Sequence, residues 1–81
     1  MMENDSKTIC IYEDDFKRIE LIKKNGSYYV ISEKIIQDLR FTLSCGEDIK
    51  AACEVFKKTV IVYLLENNIV GRYLWVKVKI Y

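Results

Sequence analysis

The sequence predicts a small α+β fold in which an antiparallel sheet of three or four strands packs against one main helix. Three features carry that expectation: an Asn25-Gly26 pair between two apolar runs, a stripe of apolar residues at helical spacing from Ile49 to Leu64, and a long alternating run from Arg72 to Tyr81.

Thr8 to Tyr12 (TICIY) is β-branched and aromatic and reads as a first strand, followed by a polar break at Glu13-Asp14-Asp15. From Lys17 to Ser32 two apolar runs flank Asn25-Gly26. Asn-Gly suits a type I′ turn, because both central residues must take positive φ and both tolerate it. That turn sets Lys24 opposite Ser27, Ile22 opposite Tyr29, Leu21 opposite Val30 and Ile19 opposite Ser32. One face of the hairpin then carries Ile19, Leu21, Tyr28 and Val30, and the other Glu20, Ile22, Tyr29 and Ile31. Neither face is wholly polar, so both call for cover. Residues 33–45 admit two readings. Ser32 can cap a short helix carrying Ile35, Ile36 and Leu39, or Phe41, Leu43 and Cys45 can alternate with Thr42 and Ser44 as a strand. The expectation is a short helical turn or irregular link followed by that strand.

Ser44-Cys45-Gly46-Glu47 fits a capping box, with Ser44 as N-cap and Glu47 three residues on. Beyond it Ile49, Ala52, Cys53, Phe56, Val60, Tyr63 and Leu64 form one helical stripe. The opposite side begins polar, with Glu54 and Lys58 placed as an i,i+4 pair, and turns apolar at Ile61 and Leu65. Thr59 to Tyr63 has strand propensity too, but with no Gly or Pro to break it the helix is carried to about Glu66, with Asn67-Asn68 ending it in a left-handed conformation. In the final run Leu74, Val76, Val78 and Ile80 share the face expected to meet the helix, and Tyr73, Trp75, Lys77, Lys79 and Tyr81 share the other.

Composition narrows the class. Eighty-one residues make one domain, and a chain of this size buries only ~60–65% of the surface its unfolded form exposes. With 51% hydrophobic residues, six tyrosines and one tryptophan, it has apolar surface to share with a partner. Proline is absent and no repeat or linker appears; residues 1–7 read as a flexible polar start and 8–81 as the domain. No apolar run approaches the ~20 residues of a membrane span, and the first residues lack a signal-peptide pattern, so the expected location is cytoplasmic with no membrane partner. Three cysteines at irregular spacing read as reduced thiols. The net charge of +1 divides unevenly: residues 1–48 hold ten acids and seven bases, residues 49–81 two acids and six bases.

The chemistry-bearing residues argue against catalysis. With no histidine, the commonest general base and metal ligand is missing, and no phosphate-loop, dinucleotide or metalloprotease motif is present. Glu13-Asp14-Asp15 offers carboxylates for a divalent cation, the basis of a metal-dependent hydrolase reading, but no partner acid or shaped loop accompanies them. Cys45, near a helix start that favours a thiolate, lacks a base. The expectation is a protein without catalytic residues, metal, cofactor or small-molecule substrate.

Binding is the remaining reading, at Tyr73, Trp75, Lys77, Lys79 and Tyr81 of the last strand and Ile61 and Leu65 of the helix. Aromatics interleaved with lysines also suit single-stranded nucleic acid, where rings stack on bases and ammonium groups meet phosphates. The near-zero net charge tilts the partner toward protein, a homodimer included. The order hairpin, short strand, capped helix, strand resembles that of HicB-type antitoxins, through Gly26-Ser27-Tyr28-Tyr29-Val30 and the helix from Gly46 to Tyr63-Leu64. The proline-containing connection of that family is missing. The resemblance implies a small inhibitor or accessory protein acting on a nucleic-acid-processing enzyme.

Overall fold

The computed structural model describes residues 6–67 and 78–81. They form β1 (Ser6–Glu13), β2 (Lys17–Lys24), β3 (Ser27–Lys34), β4 (Leu39–Ser44), α1 (Ile49–Glu66) and β5 (Val78–Ile80). The strands make one antiparallel sheet in the order β4-β3-β2-β1-β5, with α1 packed on one face. The α+β class is as the sequence predicts, with five strands among the described residues rather than three or four.

The β2–β3 hairpin has the expected register, from Lys24↔Ser27 at the turn to Ile19↔Ser32. Asn25 (φ 53°) and Gly26 (φ 82°) both take the positive φ that a type I′ turn requires. Because side chains alternate along a strand, this register commits Ile19, Leu21, Tyr28 and Val30 to one face, and all four are buried beneath α1. In β1 the register shifts between Thr8, opposite Ile22, and Cys10, opposite Leu21. Ile9 is therefore the extra residue of a β-bulge, which turns Cys10 and Tyr12 onto the helix-bearing face. With Ala52, Phe56, Val60 and Leu64 of α1 they complete the core. On β5, Val78 and Ile80 lie opposite Tyr12 and Cys10, so both stand on the helix-bearing face as expected, but only Val78 packs against the core and Ile80 stays exposed. The expected strand residues 72–77 lie outside the described residues, as do Met1 to Asp5; Ser6 and Lys7 already belong to β1.

The reading of residues 33–45 as a short turn followed by a strand holds, and two local expectations are corrected. No helix occurs at 33–39: β3 continues to Lys34, and a tight turn with Asp38 at φ 55° feeds directly into β4. Its Asp38 N–H donates to Ile35 O at 3.3 Å, while Ile35 N–H donates to Phe16 O at 3.0 Å. Ser44 is not the N-cap, because it belongs to β4. Pairing continues past it, as Cys45 N–H donates to Tyr28 O (2.9 Å) and Tyr28 N–H to Gly46 O (2.7 Å), and Gly46 at φ 74° turns the chain away. Asp48 caps α1 instead, its carboxylate accepting from Lys50 N–H at 3.0 Å. Glu54 pairs with Lys57 at 3.2 Å rather than with Lys58. Asn67 ends the described helix at φ −108°, with its side-chain amide donating to Tyr63 O at 2.8 Å; Asn68, the other residue of the expected left-handed end, lies outside the described residues.

Core and surface apolar residues of the same type should therefore behave differently. Leu21→Ala, at a position with no exposed surface, is expected to lose about 2–5 kcal/mol in denaturant unfolding. Leu65→Ala, at a position 71% exposed, should stay within about 0.5 kcal/mol of the parent. Equal losses would contradict this placement of the core.

Candidate protein-docking face

The strand register also fixes where β4 points its apolar residues. Phe41 lies opposite Ser32 and Leu43 opposite Val30, and those residues lie opposite Ile19 and Leu21 of the core. Leu39, Phe41 and Leu43 thus stand on the helix-bearing face of the sheet. Yet α1 packs over β2 and β3 and leaves them open: Leu39 is 46%, Phe41 62% and Leu43 54% exposed. Arg40, Thr42 and Ser44 occupy the opposite face, so the stripe is uninterrupted by polar side chains.

Between β4 and α1 runs a depression of about 420 Å³. Leu43, Val55, Val62 and Tyr63 line it together with Lys17, Lys58, Thr59 and Glu66. A second, of about 450 Å³, continues along the same flank of α1 past Phe16, Ile36 and Gln37 and shares Lys17, Tyr63 and Glu66 with the first. Phe16, Ile36 and Val62 are themselves exposed. The whole flank is an apolar floor and wall with a charged rim.

One end of this flank is held by Asp14. Its Oδ2 accepts from Tyr12 Oη–H (2.8 Å) and from Tyr63 Oη–H (3.0 Å), and its Oδ1 accepts from the Phe16 and Lys17 backbone N–H groups, both at 2.8 Å. The Tyr12 and Tyr63 rings meet edge to face at 6.0 Å, and Lys17 Nζ lies 5.4 Å from the centre of the Tyr63 ring. A single carboxylate therefore ties the β1–β2 turn to the last turns of α1. Burial pushes the Asp14 carboxyl upward, but the four hydrogen bonds outweigh it and hold the group below its ordinary value. Burial and the hydrogen bond to Asp14 push the Tyr63 phenol up to about 12 and the Tyr12 phenol higher still. Burial, reinforced by repulsion from Lys34, lowers the Lys17 ammonium. Both Asp14 oxygens are committed to these bonds, which gives the residue a structural role in place of the cation-holding one considered from sequence.

The cysteines are free thiols. Burial pushes Cys10 up to about 11, with Cys53 nearby adding to the rise. Burial also raises Cys45, whose thiol lies 3.5 Å from Leu43 O; the helix begins only at Ile49, so Cys45 is not an activated thiolate at a helix start.

Tyr73, Trp75 and Lys77 lie outside the described residues. Lys79 lies opposite Ile11, on the sheet face away from α1, and with Tyr81 lines a depression that also holds Glu13, Asp14 and Asp15. Ile61 and Leu65 are exposed on the outward side of α1, across the sheet from Lys79. Sequence reasoning missed Leu39, Phe41, Leu43 and Val62 as surface. The alternation in 39–45 was visible, but nothing in it says which strand the helix leaves uncovered. No protein-family model, curated protein or solved structure matches the chain, so the resemblance to HicB-type antitoxins rests on its own residues alone.

The Asp14 cluster makes a two-sided pH prediction. A carboxyl held below its ordinary value stabilises the fold fully above the unfolded pKa of about 3.9, and that contribution is lost as pH falls further. A phenol raised to about 12 stabilises the fold fully below about pH 10, and that contribution is lost as pH rises through 12. Asp14→Asn should flatten the acid limb of a stability–pH curve and bring Tyr63 ionisation, followed by ultraviolet absorbance, back toward its ordinary value. Unchanged curves would contradict the cluster.

Proposed function

We propose that the protein is a non-catalytic binding module that docks a partner protein against the β4 flank of α1. The observation that carries this reading is the exposure of Leu39, Phe41 and Leu43 on the same face of the sheet that elsewhere forms the core. Large apolar residues grouped on a surface and rimmed by charge are a recurring mark of protein contact. The floor is apolar and the rim carries Lys17, Lys58 and Glu66, which suits a partner segment with an apolar face and flanking charges of both signs. An inhibitor or accessory role in the cytoplasm accords with such a surface and with the lack of a histidine or phosphate-binding motif.

Single-stranded nucleic acid binding at Tyr73, Trp75, Lys77, Lys79 and Tyr81 is the weaker reading. Glu13, Asp14 and Asp15 line the same depression as Lys79 and Tyr81, and three carboxylates there oppose a phosphate backbone.

Affinity capture with the whole chain as bait, with and without nuclease, separates these readings. A protein should be retained after nuclease and lost with Phe41→Thr/Leu43→Thr. Retention that depends on nucleic acid, or is indifferent to both substitutions, would overturn the docking assignment.

A further inference from the structure

The edge of β4 specifies what can join it. Tyr28 exchanges backbone bonds with Cys45 and Gly46, and along an antiparallel pair bonded and non-bonded residues alternate. Val30↔Leu43 and Ser32↔Phe41 are then the bonded pairs, so Leu39, Phe41 and Leu43 turn their N–H and C=O groups toward β3. Arg40, Thr42 and Ser44 turn theirs outward, where no described strand lies beside β4. Sheet edges are usually blunted by charged side chains, lysine above all, by proline, a bulge or shortness, and Arg40 is the one charge on β4. β5, at the other edge, is described over three residues and carries Lys79, whereas Leu39–Ser44 contains no lysine, proline or bulge.

We propose that a second copy of this chain pairs with β4, strand to strand and antiparallel, about a twofold axis at Phe41. In that register Phe41 meets Phe41, Leu39 meets Leu43 of the second copy, and Arg40 meets Thr42. The aromatic pair Phe41↔Phe41 favours it over an axis at Thr42, and three further conditions set aside the other registers. A shift of one residue would set apolar side chains against the polar face. A shift that centres the axis on Arg40 would set two guanidinium groups directly opposite each other, and like charges across strands destabilise. Centring on Phe41 makes Arg40 and Thr42, whose backbone groups already point outward, the hydrogen-bonded pair. It leaves Phe41↔Phe41 as the non-bonded pair, where side chains approach most closely.

A twofold axis perpendicular to the sheet keeps both α1 helices on one face. The sheet becomes ten-stranded, and the two stripes join into a floor of six apolar residues between the helices. The docking face of the preceding section, on which this inference rests, is then half of a site that the second copy completes.

Sedimentation equilibrium of the whole chain over a concentration series tests the pairing. The parent is expected to be a dimer. Thr42→Pro removes an outward N–H and none that bonds β3, so it should yield a folded monomer by circular dichroism. Should that variant fail to fold, Thr42→Arg and Thr42→Glu decide. By symmetry each places two new charges opposite the two Arg40 side chains, so Arg should weaken the dimer at least tenfold and Glu should tighten it. A parent that stays monomeric at every concentration, or a dimer indifferent to all these changes, would overturn the proposal. A monomer that still captures a protein through Phe41 and Leu43 leaves the docking reading standing; a dimer that captures nothing leaves only the pairing.

Discussion

One helix cannot cover this sheet. A helix with its side chains is about 10 Å across and neighbouring strands lie about 4.8 Å apart, so α1 spans little more than two strands of five. Its 18 residues are set over β2 and β3, the hairpin whose register the Asn25-Gly26 turn fixes. Cys10 and Tyr12 of β1 come under the same cover because the bulge at Ile9 turns them inward. β4 lies on the other side and receives no such cover, so its Leu39, Phe41 and Leu43 stay in solvent. The exposed β4 stripe is a consequence of this mismatch in width.

The Asp14 cluster sets the position of the helix. Helix packing on a sheet by apolar contact alone is weakly directional. A carboxylate that accepts from Tyr12, Tyr63 and two backbone N–H groups fixes where the end of α1 sits relative to the β1–β2 turn. It thereby also sets the width of the flank between α1 and β4. On the far face, Thr8 Oγ1–H donates to Glu20 and Ile11 and Ile31 are buried, so that face is partly closed with no second helix among the described residues.

What the sequence makes legible follows from the range of the interactions. The hairpin register was readable because a two-residue turn fixes it locally. The far end of α1, at Glu66, was readable because its stripe runs unbroken from Ala52 to Leu64. The start of α1 was misread because Ser44 satisfies a local capping pattern while Tyr28, far away in sequence, draws Cys45 and Gly46 into the sheet. Residues 33–39 left a helix open because Ile35, Ile36 and Leu39 are apolar, and residues 35–38 form the short link that was the other reading, with Ile36 exposed. The hydrogen bond between Tyr63 and Asp14 joins residues 49 apart and leaves no local trace. The exposed β4 stripe was the least legible feature, because exposure of an alternating strand depends on which strands the helix covers.

The central claim is that the β4 stripe is kept for contact and not for the stability of the single chain. Its most direct test is denaturant unfolding of dilute Leu39→Thr/Phe41→Thr/Leu43→Thr, in which threonine preserves strand propensity while removing the apolar surface. The account predicts a stability within about 1.5 kcal/mol of the parent, as for three surface substitutions. A loss of several kcal/mol or more, on the scale of truncating core residues, would show that the stripe is part of the core and would contradict it.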